Sequence, residues 1–270
     1  MTYDVLDLLA VRPDDRADLA RLDADPAEVA AVAKLLRERI GTFPTGRPDL
    51  EAPEAVWIAA FVETVPDLLA YYRALDVPDE IVRDTLEDFG RHLALNRVVH
   101  GSFGLETRWW LTNHWAGSLF ELGRLQFQLY REQEPGAHVA AGDWVLGIHI
   151  PEAGPLTPEA VDDSLGRAKA FFAVYFPDKP VRAGTCLSWL LDPYLLDHLP
   201  PESNMARFAR RFTLSGEPDD QQGDAVYFVF RTRDLDHLDR LPRDTGLQRL
   251  VLDRIAAGGT WQTARGTLLL

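Results

Sequence analysis

The hydrophobic pattern in the middle of the chain predicts a strand, a helix and a second strand in succession. Apolar and polar positions alternate over 144–150, with the two-residue period of a strand. Thr157 can cap a following helix, Pro158 suits its first position, and an apolar stripe continues over 158–175. A second strand is predicted over 181–190. Such a unit almost always forms a crossover onto one sheet, and the start of its helix favours anions.

Further strands and short helices are predicted on both sides of this unit. Strict alternation over 125–130 indicates a half-buried strand, and Thr260 to Leu270 reads as a closing strand. Two more strands are expected over 205–214 and 225–233, joined by a loop over 216–223. Helices are expected over 194–199 and 247–257.

The amino-terminal part of the chain has the three-to-four-residue period of helices instead. We predict helices over 26–40, 53–65, 67–75, 78–99 and 106–115, with the second ending before Pro66. The predicted fold class is therefore α/β in the broad α+β sense. A helical domain over 1–115 precedes a mixed-sheet domain over 116–270.

Composition indicates a folded soluble protein. Hydrophobic residues make up 46% of the chain, and no apolar run approaches the roughly 18 residues of a membrane span. Residues 1–4 show no start of a secretory signal. Cys186 is the single cysteine, which excludes an internal disulfide and a cysteine-based zinc site. We therefore expect a cytoplasmic protein.

Charge narrows the range of partners. The chain has 28 basic and 42 acidic residues, a net charge of −14. Such a balance argues against nucleic acid and anionic membranes as partners. His92, His100 and His114 have no ligand spacing, so we predict no metal site. The oligomeric state cannot be read from the sequence.

The order of elements in the second half, and three segments within it, resemble a known family. The segments are Gly147–Pro151, Cys186–Pro193 and Leu199–Phe208. They are similar to the carboxyl-terminal domain of a bacterial acyltransferase family, in which a helical acyltransferase domain precedes a GNAT-like domain. The resemblance implies acetyl-CoA or a longer acyl-CoA as donor. It also implies a small-molecule acceptor whose nucleophilic amine or hydroxyl attacks the acyl group directly, in a ternary complex.

The expected CoA phosphate turn departs from the pattern of the GNAT family. Those enzymes hold the pyrophosphate in a glycine-rich turn, whereas Gly154 is the only glycine in the turn here. Pro155 has no N–H to donate, and Glu152 would repel a phosphate. The alternative function is therefore a non-catalytic GNAT-like module that binds a ligand or partner. The donor-binding residues implied by the resemblance are Ile150, Gly154, Leu156, Thr157 and Ser188.

Three residues are candidates for acid–base chemistry. His149 shares a strand face with Gly147, and imidazole can accept a proton near neutral pH, although a buried structural histidine is an equal alternative. Glu121 is the second candidate base, with a position at a sheet edge as its alternative. Tyr194 resembles the tyrosine that many GNAT enzymes use to reprotonate the CoA thiolate, or else it is a core aromatic.

Cys186 offers a different mechanism. A thiol nucleophile with His149 as its base would give thioester chemistry. A cysteine in a central strand is, however, more often a small core residue. The sequence therefore favours direct transfer, with the thioester route as a weaker alternative.

Overall fold

The structure is a computed structural model that describes residues 4–270. Met1 to Tyr3, where no secretory signal is expected, lie outside the described residues. The amino-terminal part is helical: α1 Val5–Leu8, α2 Pro13–Leu19, α3 Pro26–Arg39, α4 Glu54–Ala74, α5 Asp79–Leu86, α6 Asp88–His100 and α7 Arg108–Trp115. The helices pack around a core that includes fully buried Trp57, Phe61 and Trp115.

The predicted break before Pro66 is wrong, because α4 runs through this proline. Pro66 lies on the exposed side of the helix, where its ring meets solvent. The helix therefore continues past a residue that lacks an N–H. The helix predicted over 78–99 is instead divided into α5 and α6.

By length and composition alone, α4 could cross a membrane. Half of its most apolar window is buried inside the fold. A core helix of a soluble protein has the same properties.

The second half contains a six-stranded mixed sheet. Its elements are β1 Leu119–Leu122, β2 Leu125–Arg131, β3 Trp144–His149, α8 Pro158–Tyr175, β4 Ala183–Ser188, α9 Pro193–His198, α10 Asn204–Ala209, β5 Thr213–Asp220, α11 Gln222–Phe230, α12 Gly246–Ala256 and β6 Gln262–Leu269. The strands lie in the order β1-β2-β3-β4-β6-β5, and β3 and β4 are parallel whereas the other pairs are antiparallel. This arrangement confirms the predicted fold class.

Two of the predicted strands are wrong. The first half of the segment 205–214 forms α10, which begins with a hydrogen bond from the Ala206 N–H to the Ser203 hydroxyl. Most of the segment 225–233 forms α11, and the predicted loop over 216–223 mostly belongs to β5. β5 pairs with β6 alone and is mostly exposed, so it has no hydrophobic alternation that the sequence could reveal.

The two faces of the sheet differ in character. One face has Phe120, Phe127 and Ile148 and packs against apolar side chains of α8 such as Phe171. The opposite face has polar side chains, with Gln126 and Gln128 buried beneath the helical part of the chain. The Gln128 amide donates to the Asn113 side chain of α7 at 3.3 Å. The candidate residues Glu121 and His149 lie on this polar face.

Candidate active site

Strands β3 and β4 separate at the centre of the sheet. They are paired only through Leu146 with Gly184 and Gly147 with Thr185. Beyond these positions the two carboxyl ends have no residues in register with each other. The backbone groups along the facing edges are therefore free to bond an extended ligand, as another strand would.

Gly147 lies where the two strands separate, on the polar face of the sheet. A Cβ atom at residue 147 would lie 3.0 Å from His149 Nε2 and 3.0 Å from Tyr130 Cε1. Any larger residue would therefore displace these rings or fill the space between them. The glycine leaves room for a reacting group beside the imidazole.

His149 is placed by an aromatic contact from the helical part. The Trp110 ring of α7 meets the imidazole edge-on, with ring centroids 4.5 Å apart. His149 Nε2 is buried and, among the described residues, has no hydrogen-bond partner. Burial, together with the nearby His114, lowers the pKa of His149 from 6.5 to about 3. The imidazole is therefore neutral at pH 7 and has a nitrogen available for a substrate.

The buried carboxylate of Asp88 fixes the position of Trp110. The Trp110 indole N–H donates to Asp88 Oδ2 at 3.2 Å, and His114 Nε2 lies 3.1 Å from the same oxygen. His92 Nε2 is 3.3 Å from it. Burial acts to raise the pKa of Asp88, but the two histidines hold it well below its usual range. Asp88 is therefore an ionised anchor for the aromatic side of the site.

Glu121 lies on the same sheet face as His149, with Gln126 between them in the pairing of β1, β2 and β3. Its carboxylate accepts hydrogen bonds from Arg91 at 2.6 Å and from Gln126 at 3.1 Å. Burial raises the pKa of Glu121, although the charge of Arg91 opposes this rise. The carboxylate joins α6 to β1 and is already engaged, unlike His149 Nε2.

Tyr194 lies in a different aromatic cluster. Its ring stacks on His198 at 3.8 Å between centroids, and the Arg254 guanidinium lies 4.0 Å from its centre. Trp261 completes the cluster at 5.8 Å. Among the described residues, no contact joins Tyr194 to His149 or Glu121. The structure therefore brings two of the three candidate residues together and places the third apart.

Cys186 cannot use His149 as its base. The register places His149 on the face that carries Thr185, whereas Cys186 shares the opposite face with Gly184. Burial raises the pKa of the Cys186 thiol to about 12. A thiolate nucleophile is therefore disfavoured, and Cys186 acts as a core residue.

The side chains of several predicted donor-binding residues serve the fold. Leu156 is buried, Ser188 accepts a hydrogen bond from the Leu190 N–H, and Thr157 caps α8 by accepting from Ala160. Ile150 packs against the core, and Gly154 adopts a left-handed conformation with open space around it. What these residues can offer a ligand is mainly backbone at the start of α8.

Two arginines that the sequence did not single out stand at the phosphate turn. Arg231 forms an ion pair with Glu152 at 2.7 Å, which offsets the negative charge expected to repel a phosphate. Arg124, from the β1–β2 hairpin, donates to backbone carbonyls of the turn. Neither contact follows from local sequence, because both partners are distant in the chain.

Within residues 4–270, no group of three or more His, Cys, Asp or Glu side chains has a geometry that could hold a metal ion. The residues around Asp88 are instead two histidines, whose ring nitrogens lie 3.1 and 3.3 Å from its carboxylate, and the Trp110 indole. We therefore assign no step to a metal.

A sheet that opens between two parallel strands, with α8 starting at that opening, is the arrangement expected of a GNAT-like domain. A family model for the GNAT-like C-terminal domain matches residues 119–268, and one for the N-acyltransferase N-terminal domain matches residues 2–117. The chain therefore belongs to the family of N-acyltransferases with a GNAT-like C-terminal domain. Enzymes of this family take the acyl group from acyl-CoA, and this chain is one of them.

Solved structures show the same similarity over nearly the full chain. An acyltransferase in complex with decanoyl-CoA is 31% identical, with a TM-score of 0.89, over 99% of this chain and 86% of the other. An acyltransferase in complex with decanoyl-CoA and teicoplanin is 32% identical, with a TM-score of 0.86, over 99% and 87%. A further similar structure is an acyltransferase mutant with octanoyl-CoA, 31% identical, with a TM-score of 0.88, over 99% and 87%. Comparison with curated proteins finds no match.

Proposed function

We propose that the protein transfers a medium-length acyl group from acyl-CoA to an amine of a small-molecule acceptor, in the cytoplasm. The observation that carries this proposal is the unpartnered His149 Nε2 beside Gly147, at the point where β3 and β4 separate. Similar enzymes with decanoyl-CoA or octanoyl-CoA support a chain of that length. The structure with teicoplanin supports a small-molecule acceptor.

The fold offers groups suited to each part of the donor. The facing edges of β3 and β4 can bond the amides of an extended pantetheine arm, as a strand would. The amino terminus of α8 favours the pyrophosphate, and Arg231 offsets the charge of Glu152 there. The chain thus retains a phosphate site despite its glycine-poor turn.

Transfer would proceed by direct attack of the acceptor nitrogen on the thioester carbonyl. As the C–N bond forms, the nitrogen becomes strongly acidic and can lose its proton to neutral His149 Nε2. The tetrahedral intermediate then breaks its C–S bond and releases the CoA thiolate, which takes up a proton. Tyr194 is the donor predicted from the sequence, although its ring lies in a separate aromatic cluster with His198 and Trp261. Cys186 has no role in this route.

Replacement of the base tests this mechanism. We expect His149→Gln to lower turnover at neutral pH by at least about tenfold, with acyl-CoA affinity retained, because the acceptor nitrogen then loses its proton acceptor. Turnover is followed by thiol release and by the mass of the acylated acceptor, with acyl-CoAs of increasing length. Because the pKa of His149 is lowered to about 3, the acidic limb that it sets in the free enzyme lies well below neutrality.

His138→Gln is the matched control, because His138 is an exposed histidine in the β2–β3 loop. Turnover that survives in His149→Gln but is lost in Glu121→Gln would assign the base to the carboxylate. Failure of every acyl-CoA to bind would remove the donor assignment.

A further inference from the structure

The guanidinium group of Arg124 binds the backbone carbonyls of the phosphate turn, residues 151–155. Arg124 Nη1 donates to the Pro151 oxygen at 2.9 Å, and Nη2 donates to the Gly154 oxygen at 2.9 Å. Arg124 Nε is shared between the oxygens of Gly154 and Pro155, at 3.2 and 3.3 Å. Every donor nitrogen of the guanidinium is therefore directed at a carbonyl of this turn.

The backbone of Arg124 is also fixed to the helix that follows the turn. Its N–H donates to the Ser164 hydroxyl at 2.6 Å, and Ser164 is fully buried in α8. The β1–β2 hairpin thus connects the turn with the second turn of the helix. Movement of the turn relative to α8 would break hydrogen bonds at both ends of Arg124.

Arg124 binds the carbonyl oxygens of the turn, so backbone N–H groups there stay available to a ligand. Within the described part of the chain, no hydrogen bond is donated by the N–H groups of Glu152 and Gly154 in the turn, or of Leu156 directly after it. A guanidinium that captures the carbonyls keeps these oxygens away from an incoming anion and adds a positive charge beneath it. A glycine-rich turn achieves the same presentation of N–H groups through backbone freedom alone.

We propose that Arg124 is a positioning residue for the acyl-CoA donor, which organises the turn 151–155 in place of a glycine cradle. This inference rests on the proposed function, because it assumes that the donor phosphates meet this turn. It accounts for a turn that has one glycine and two prolines and still belongs to this family of enzymes. Replacement of Arg124 should therefore weaken the binding only of donors that carry the phosphates.

The test compares CoA with a donor that lacks the phosphates. We expect Arg124→Met to raise the Kd for CoA in calorimetry, and the KM for acyl-CoA, by about tenfold or more, since several charged hydrogen bonds hold the turn. The kcat at saturation should stay within about threefold. The KM for S-acyl pantetheine should also stay within about twofold of wild type, because this donor has no phosphate to place.

Two further variants separate charge from geometry. Arg124→Lys keeps the charge but not the planar fork, so we expect it to bind CoA nearly as weakly as Arg124→Met. Arg167→Met is the matched control, because Arg167 is an exposed arginine of α8 paired only with Asp163 among the described residues. Its CoA affinity should equal that of wild type.

The outcomes distinguish this inference from the proposed function. Equal losses for acyl-CoA and S-acyl pantetheine in Arg124→Met, or unchanged CoA affinity, would overturn the positioning role alone. Full recovery by Arg124→Lys would show that only charge matters and would also overturn it. A wild-type protein that binds neither CoA nor S-acyl pantetheine would remove the proposed function, and this inference with it.

Discussion

At the scale of single residues, His149 combines two properties that together mark a functional group. Its ring is held by Trp110, yet its Nε2 has no partner among the described residues. A buried polar atom without a hydrogen bond costs about 1–3 kcal/mol, so a purely structural residue would usually be satisfied. The unused hydrogen-bonding capacity is therefore available to a substrate.

The lowered pKa of His149 makes a prediction about stability. The unfolded chain binds a proton on this histidine at about its ordinary pKa of 6.5, whereas the folded protein does so only near 3. Between these values the unfolded state holds more protons, so the free energy of unfolding falls as the pH falls from 6.5 towards 3. Above 6.5 the contribution is fully present.

We therefore expect His149→Gln to flatten this part of the stability profile, because glutamine does not titrate. Urea unfolding at several pH values between about 4 and 8 measures the effect. His138→Gln should retain the wild-type slope, since His138 is exposed. An unchanged slope in His149→Gln would show that this histidine is not buried in its neutral form.

At the scale of elements, local capping explains which sequence predictions succeeded. The unit of β3, α8 and β4 follows its hydrophobic pattern, and Thr157 caps α8 as predicted. The pattern in α11 was misleading, because aromatic and β-branched residues favour strands in isolation. Burial of Ala225 and Val226 in the core stabilises the helix instead. Packing between distant segments, which a local sequence pattern does not contain, therefore determines that this segment is a helix.

The candidate site likewise contains some residues that a local sequence pattern reveals and others that only the fold brings together. The base candidates could be predicted, because a polar residue within an apolar strand is a local signal. Arg124 could not, since its role depends on a hairpin that meets a turn about thirty positions later in the sequence. Asp88 and His92 do have the spacing of neighbours on a helix, but only the fold brings Trp110 to them.

Asp192 provides the prediction that belongs to this scale. Its fully buried carboxylate accepts from the Tyr194 N–H at 2.8 Å and the Gln262 N–H at 2.9 Å, and from Arg254 at 3.0 Å. It thus caps α9 and ties it to β6 and α12. We expect Asp192→Ala to lower the free energy of unfolding by about 3–5 kcal/mol, because it leaves the largely buried Arg254 without its carboxylate partner.

Chemical denaturation measures this loss, with Asp197→Ala as the control on the exposed side of α9. A change below about 1 kcal/mol would mean that solvent can replace the carboxylate.

At the scale of the whole molecule, the helical part and the sheet form one site together. The sheet supplies His149, whereas α7 supplies the Trp110 ring that packs against it. The same boundary is crossed by the ion pair of Arg91 with Glu121 and, at the surface, by that of Arg233 with Glu106. The geometry of the candidate site and the stability of the fold therefore depend on contacts across the same boundary.

The Arg91–Glu121 pair yields the prediction for this scale. We expect Arg91→Met to lower the free energy of unfolding at neutral pH by about 3 kcal/mol, because it leaves the largely buried Glu121 carboxylate without its cation. Burial already raises the pKa of Glu121, and the variant should raise it further. The folded state then binds the proton more tightly than the unfolded state, so the loss should shrink as the pH falls and Glu121 becomes protonated.

A double-mutant cycle with Glu121→Gln separates this role from catalysis. The double variant should be more stable than Arg91→Met alone, since the buried charge at position 121 is removed together with its partner. Arg83→Met, on the exposed side of α5, is the control for loss of an arginine. If Glu121 is structural, Glu121→Gln should also retain most turnover. Additive losses in the cycle, together with loss of turnover in Glu121→Gln, would instead show that the carboxylate acts on the substrate rather than on Arg91.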